Sequence, residues 1–308
     1  MKVAIMGTGG VGGYFGGLLA RNNNDVYFIA RGAHLEAIRE WGLKIKSVHG
    51  DFTVFPATVT DDPSEVGPVD LVIVATKTYH TGTAATTIRP MVGEETTVLS
   101  LQNGIDAAER IGAIVGMEHI LGGATWVSAA IEEPGVIGQY SDFHRIVLGE
   151  LDGTVTERSK KVHRVLEDTG ITSELSDNIL KILWTKYVFI GSVSAIGTLT
   201  RASFGEFRCV PETRVYLEEA LREIAAVAQA KGIGLDQDVI QKTLEFIDGG
   251  APNLKTSFQR DIEAGKPSEL ESMVGAIPRL GAELGIATPV MSFAYAMLKP
   301  GELKAQCV

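Results

Sequence analysis

The sequence is short of cysteine. Cys209 and Cys307 are the only two, and no metal-ligand spacing relates them. That sets aside a disulfide scaffold and a cysteine zinc site, and it fits a reducing compartment. No metal site is expected. Positive charge is also scarce: 28 Lys and Arg stand against 38 Asp and Glu, giving a net charge of −10 and a pI near 5.2. A nucleic-acid binder that draws its affinity from phosphate neutralisation is therefore a poor reading. A few placed cations can still hold a small anion. No uncharged apolar run reaches ~18 residues, so no membrane span is expected. Residues 1–6 read as a strand and leave no room for a signal peptide, so a cytoplasmic protein is the default expectation.

What is present is an ordinary globular composition, 45% hydrophobic and 21% charged, in a chain of 308 residues with room for two domains. The first half alternates short apolar runs (Val3–Met6, Val26–Ala30, Leu71–Ala75, Val98–Leu101) with helical stretches at Val11–Asn22 and Arg31–Trp41. Strands alternating with helices imply a parallel sheet covered on both faces. Leu43–Val48 and Phe52–Val54, separated by His49-Gly50-Asp51, read as a hairpin inserted into that pattern, and Ile120–Leu151 turns strand-rich. Helices are then expected at Asn178–Leu199, Glu212–Lys231, Asp236–Asp248, Leu270–Leu284 and Val290–Leu298, with no recurring strand. The expected division is a Rossmann-like domain over 1–177 and an all-α domain over 178–308. There is no internal repeat.

Residues 5–17 read IMGTGGVGGYFGG. Within them Gly7, Gly9 and Gly12 satisfy G-x-G-x-x-G, with Gly10 alongside. The pattern alone is weak, but an apolar strand precedes it and a helix follows. In that setting the first glycine makes the turn, the second admits a pyrophosphate to the backbone, and the third allows close helix–strand packing. The helix N-terminus offers amides and positive partial charge to the phosphates. The competing reading is glycine-mediated packing without a ligand. At the end of the second strand, where NAD binders place an acid, stands Arg31. An arginine fork suits a 2′-phosphate, so NADP(H) is favoured over NAD(H). The alternative is an exposed arginine at a helix start.

Further segments extend the pattern: Thr76-Lys77-Thr78 after the third parallel strand, Leu101-Gln102-Asn103-Gly104-Ile105, the helix bearing Lys186, the Ser257…Asp261…Gly265…Glu269 segment, and Thr288-Pro289-Val290. With the glycine loop and Arg31, these make the chain resemble the 2-dehydropantoate 2-reductase (ketopantoate reductase) family over nearly its full length. The resemblance implies a helical half like the C-terminal domain of 6-phosphogluconate dehydrogenase, and homodimers formed through it. It also implies reduction of a 2-keto acid to a D-2-hydroxy acid with NADPH, in first place the step from 2-dehydropantoate to pantoate.

Lys77 and Asn103 lie at C-terminal ends of expected parallel strands, where open α/β sheets bind ligands. The resemblance puts both at the cofactor and Asn103 at the substrate as well. Lys77 can neutralise phosphate charge, and the Asn103 amide can bond nicotinamide or ribose. A solvated lysine and an Asn-Gly turn are the competing readings. Lys186 takes the catalytic role by resemblance. A ketone that accepts hydride becomes an alkoxide needing a proton, and an ammonium among apolar neighbours has a lowered pKa. On residue type alone it is equally a surface lysine of an amphipathic helix. Glu269 is assigned by resemblance to the substrate or the lysine, and Ser257 to the substrate carboxylate. Pro267-Ser268-Glu269-Leu270-Glu271 also reads as a plain helix start, with Ser268 and Glu271 as a capping box.

The chain departs from the family where Lys is usually followed by Asn four and eight residues on. Those positions are Ile190 and Ser194, and Leu254 replaces an asparagine three residues before Ser257. Ser194 remains a candidate substrate ligand. A site that bonds a substrate hydroxyl discriminates strongly, and an apolar one does not. Two alternatives therefore stand beside ketopantoate reduction: a D-2-hydroxy-acid dehydrogenase for branched or aromatic 2-keto acids, and a non-catalytic NADPH-binding sensor. Lys186 and Glu269 together argue against the sensor.

Overall fold

The apolar runs of the first half are buried on both sides, as strands of a covered parallel sheet must be. In the computed structural model, which describes residues 1–307, they fold as follows. In chain order come β1 (Lys2–Met6), α1 (Gly10–Arg21), β2 (Asp25–Ile29), α2 (Gly32–Trp41), β3 (Leu43–Ser47), β4 (Phe52–Val54), β5 (Thr58–Thr60) and β6 (Leu71–Val74). Then follow α3 (Thr81–Thr87), β7 (Thr97–Ser100), α4 (Ala107–Val115), β8 (Ile120–Trp126), β9 (Ala129–Glu133), β10 (Val136–Gln139), β11 (Arg145–Gly149), α5 (Glu157–Glu167) and β12 (Thr172–Leu175). Eight strands form one sheet in the order β12-β11-β8-β7-β6-β1-β2-β5, parallel except where β11 meets β8. Alternate residues serve opposite cores: Val3, Ile5, Leu71 and Ile73 on one face, Ala4, Met6, Val72 and Val74 on the other. The strand order reverses direction between β1 and β6, the kind of switch point where such sheets bind ligands.

The expected hairpin forms, with Leu43 opposite Val54, but it does not stand alone. β10 pairs parallel to β3, and β9 antiparallel to β10, giving a second sheet of order β4-β3-β10-β9. The strand-rich stretch after Ile120 is thus divided between two sheets. This explains most of the glycine in α1, which has a sheet on each side. A Cβ at Gly12 would lie 2.2 Å from the Gly7 carbonyl oxygen, and one at Gly16 2.7 Å from Ile5 of the large sheet. A Cβ at Gly10 would lie 2.3 Å from the Ala129 carbonyl oxygen, and one at Gly13 2.8 Å from Ile137 of the small sheet.

The helical elements are α6 (Ile179–Thr200), α7 (Phe204–Cys209), α8 (Pro211–Ala230), α9 (Val239–Gly249), α10 (Ser257–Glu263), α11 (Leu270–Met273), α12 (Ala276–Leu284) and α13 (Pro289–Gln306). They enclose one core around Trp184, Tyr187, Leu221, Ile224, Phe258 and Ile277. The 22-residue α6 is long and apolar enough to cross a membrane by length and composition, yet more than half of that stretch is buried inside the protein. It also carries Lys181 and Lys186, and it gives Trp184, Tyr187, Val188, Val193, Ala195 and Ile196 to this core.

Two expected helices differ. The stretch 270–284 breaks after Met273, because Pro278 has no N–H to offer the Val274 carbonyl and Gly275 is pressed against the Tyr295 ring. The last helix starts at Pro289 and continues through Pro300 to Gln306. Compact packing divides the chain into Met1–Gln102 with Ala107–Ile179, and Asn103–Asp106 with the chain from Leu180 onward. A boundary drawn at 177/178 in the sequence cannot register that tetrapeptide, which lies between β7 and α4 in the chain yet packs with the helices.

Candidate active site

In the sheet unit, the C-terminal ends of β1, β2 and β6 lie at one end of a parallel sheet. Gly7 closes the loop after β1 at φ +99°, a conformation that L side chains rarely adopt, and a Cβ there would meet Thr76 at 2.7 Å. Thr8 is buried, and both its amide and its hydroxyl donate to the Ile29 carbonyl, at 3.2 and 3.0 Å. Gly9 is the N-cap of α1, and open space surrounds the place where its Cβ would be. The first amides of α1 have no intrahelical partner. A phosphate therefore has an approach at Gly9, whereas Gly10 and Gly12 are fixed by packing. The loop fits a dinucleotide at that one edge.

Arg31 is the exposed N-cap residue of α2, next after β2, and its guanidinium makes no ion pair among the described residues. Lys77 is half-buried just beyond β6. Its surroundings are set by Gln102, which sequence reasoning treated only as part of a motif. The buried Gln102 amide donates to the Thr76 carbonyl and to the Thr81 hydroxyl, both at 3.0 Å.

In the helical unit, the half-buried Lys186 Nζ donates to Asn103 Oδ1 at 3.2 Å. Burial pulls the Lys186 ammonium down to about 8, and the Glu269 carboxylate pulls it back up. The tetrapeptide carrying Asn103 is held at each residue. Gly104 takes φ +95° with its Cα backed against Ser272, Ile105 packs on the helical core, and the Asp106 carboxylate meets Arg279 at 3.2 Å. Tyr187, the neighbour of Lys186 on α6, is buried and donates to the carbonyls of Ser272 and Met273, both at 3.0 Å. Burial raises its pKa above the usual phenol range, so it stays a donor.

Glu269 is 4% exposed and is the N-cap residue of α11. The expected capping box does not form. Ser268 is turned to Glu302 of α13, whose carboxylate accepts from the Ser268 amide at 3.0 Å and from its hydroxyl. Glu271 faces away, accepting from the Tyr295 hydroxyl at 3.0 Å and from Lys299. The buried Glu302 thereby fixes the residue before Glu269, a role that no local pattern announces.

The substrate-side expectations divide. Ser257 opens α10, half-buried, and its hydroxyl makes no hydrogen bond among the described residues. The helix is capped instead by Thr256, whose hydroxyl accepts from the Gln259 amide at 3.1 Å. Ser194 is fully buried and donates to that same Thr256 hydroxyl at 3.3 Å, so its hydroxyl is committed to the cap. Ile190 packs against the helical core one turn beyond Lys186. Along this face of α6 the polar group that is left is Lys186 itself.

Comparison with known proteins gives a consistent picture. The family description "Ketopantoate reductase PanE/ApbA" matches residues 3–153, and its C-terminal counterpart matches residues 178–302. An uncharacterized oxidoreductase, YkpB, of Bacillus subtilis is 30% identical over 97% of this chain and 98% of its own. A 2-dehydropantoate 2-reductase of Nostoc is 29% identical over 97% and 94%. Among solved structures, a PanE/ApbA family ketopantoate reductase of Ralstonia eutropha superposes with a TM-score of 0.91 at 30% identity, covering 99% of this chain and 100% of that one. A D-mandelate dehydrogenase solved with NADH and anilino(oxo)acetate superposes with a TM-score of 0.90 at 27% identity, covering 99% of each.

Proposed function

We propose that this chain, which belongs to the ketopantoate reductase family of oxidoreductases, reduces the ketone of a 2-keto acid to a D-2-hydroxy acid with NADPH. When bound, the reduced nicotinamide supplies the hydride to the substrate C2. Lys186 donates the proton that converts the resulting alkoxide to the hydroxyl. Asn103 orients the Nζ that does so, and Glu269 keeps the lysine charged enough to give the proton at neutral pH. Ser257 offers a hydroxyl to the substrate carboxylate. On the sheet unit, the open edge at Gly9 receives the pyrophosphate and Arg31 the 2′-phosphate, while Lys77 adds charge nearby. The observation that carries the reading is Lys186: a half-buried ammonium drawn down to about 8, beside an amide oxygen and a buried carboxylate. Such a group is poised as a general acid near neutral pH.

2-Dehydropantoate is the substrate named for several relatives and is the first choice. A second reading is favoured by Ile190 and by the committed Ser194, which leave this face of α6 without a free amide or hydroxyl for a substrate hydroxyl. An apolar side chain, branched or aromatic, suits such a wall better, and one structural neighbour is a D-mandelate dehydrogenase. Steady-state oxidation of NADPH with ketopantoate, 2-ketoisovalerate and phenylglyoxylate tests both. The highest kcat/KM decides the substrate, and no turnover with any of them would leave the non-catalytic sensor. A homodimer through the helical unit belongs to the same reading. Tyr216 and Phe293, each 58% exposed, line with Ile196, Leu199 and Val290 an apolar groove of about 390 Å³. Sedimentation of the protein against a Phe293→Glu variant tests it.

A further inference from the structure

The glycine loop is held by a residue that neither the fold nor the proposed reaction has used. His34 sits in the first turn of α2, half-buried. Its Nε2 is 2.8 Å from the Thr8 carbonyl oxygen, and its Nδ1 is 3.0 Å from the Gly135 amide nitrogen. A carbonyl only accepts and an amide N–H only donates. The two partners therefore fix the ring as the neutral Nε2–H tautomer, donating to Thr8 and accepting from Gly135. Gly135 lies between β9 and β10 at φ +80°, backed against Ala37 of α2. One imidazole thus ties the loop after β1 to the start of α2 and to the edge of the second sheet. Thr8 is the residue before Gly9, the open edge of the loop, and Arg31 stands one helical turn before His34.

We propose that His34 is a positioning residue of the dinucleotide site: as the neutral Nε2–H imidazole it sets the Thr8 peptide, and it releases that grip when the ring takes a second proton. The inference rests on the reading of the glycine loop as that site. A protonated ring would turn an N–H donor at Nδ1 toward the N–H of Gly135, so one of the two bonds must break. Several charged groups lie on the elements around it. α2 brings Arg31, Glu36, which is paired with Arg39 at 3.1 Å, and Glu40; β9 brings Glu132, paired with Lys46 of β3 at 2.9 Å, and Glu133; and β3 brings Lys44, whose amide donates to the Gly135 carbonyl at 2.9 Å. The glycine loop and β5 bring none. Burial lowers the pKa of His34, against the opposing effect of its bond to Thr8. With a folded value below the unfolded one, the stabilisation is complete above the unfolded pKa and is lost as pH falls through the folded one.

The test uses binding rather than turnover. Dissociation constants of NADH and NADPH are measured by calorimetry from pH 7.5 downward for the wild-type protein, His34→Ala and His34→Gln. NADH serves as the primary probe because it lacks the 2′-phosphate, which titrates in the same range. The expected result is an NADH affinity that weakens roughly tenfold as His34 protonates. His34→Ala is expected to be weaker by about the same factor at pH 7.5, with no further acid loss of this kind. His34→Gln, whose amide keeps a donor and does not titrate, is expected to stay within about threefold of wild type at pH 7.5 with a flat acid limb. In parallel, 15N chemical shifts of the ligand-free protein are expected to show Nε2 protonated and Nδ1 not. An acid limb shared by all three proteins, or an Nδ1–H tautomer, overturns the role of His34. Failure of the wild type to bind either dinucleotide at pH 7.5 overturns the site reading and the inference together, an outcome distinct from the first two.

Discussion

Lys186 and Asn103 are 83 residues apart in the chain and joined by a hydrogen bond of 3.2 Å. Asn103 follows a strand of the sheet unit, yet Gly104 against Ser272, Ile105 in the helical core and Asp106 on Arg279 make it part of the helical body. The lysine and the amide it bonds are therefore set by one packing rather than two. Lys186→Ala is expected to bind NADPH with unchanged affinity and to lose at least about 100-fold in turnover. Binding calorimetry beside single-turnover rates separates the two, and unchanged turnover would remove Lys186 from the mechanism.

The lowered Lys186 pKa gives that activity a direction in pH. A general acid must hold its proton, so kcat/KM for reduction is expected to fall as pH rises through about 8, while oxidation of the hydroxy acid rises. Between about 8 and the ordinary lysine value, the folded protein binds fewer protons than the unfolded chain, so this group adds stability as pH rises through that window. A pH–rate profile with its alkaline limb unmoved in Glu269→Gln would show that the carboxylate does not act on the lysine. With the carboxylate removed, the limb is expected to move to lower pH.

Arg31 is exposed at the head of α2 and has no ion pair among the described residues. Arg31→Asp is expected to weaken NADPH by about 100-fold and NADH by no more than a few-fold, since an acid repels a 2′-phosphate and accepts from a 2′-hydroxyl. Equal losses would show that Arg31 does not read the phosphate.

Ile190 stands one helical turn beyond Lys186 on α6 and packs against the helical core. Ile190→Asn is expected to raise the ratio of kcat/KM for ketopantoate over phenylglyoxylate by about tenfold, because it restores an amide within reach of a substrate hydroxyl. A ratio that falls would place the discriminating contact elsewhere.

Glu302 accepts from Ser268 and so fixes the residue before Glu269. Glu302→Ala is expected to cost about 1–3 kcal/mol of stability, the penalty for leaving a buried amide without a partner. Under conditions where the variant remains folded, kcat is expected to fall more than KM rises, because Glu269 loses its register. Thermal unfolding and steady-state kinetics measure the two effects.

Local chemistry carried a good part of this structure in the sequence. The alternating apolar runs announced the parallel sheet, and Gly7, Gly9 and Gly12 announced the loop after β1. Other features are long-range and leave no local mark. Pairing of β3 with β10 joins segments far apart in the chain, so the sequence shows only the hairpin of the second sheet. Its presence changes what the glycines of α1 report, since Gly10, Gly13 and Gly17 are matched to that sheet and not to a ligand. Ser268 and Glu271 had the spacing of a capping box, but Glu302 competes for the serine from the far end of the chain. Ser194 looked available until Thr256 claimed its hydroxyl. In each case the deciding partner is distant in sequence, where spacing arguments have no reach.

The tetrapeptide Asn103–Asp106 has a practical corollary for anyone who would separate the two halves. No single cut in the chain yields the helical body whole. A fragment beginning at residue 178 would carry Lys186 and Glu269 but not Asn103, and it would expose the apolar seat of Ile105 and leave Arg279 without Asp106. The shortest gene fragment that keeps Lys186 beside the Asn103 amide must start upstream of Asn103, and it takes strands of the sheet with it.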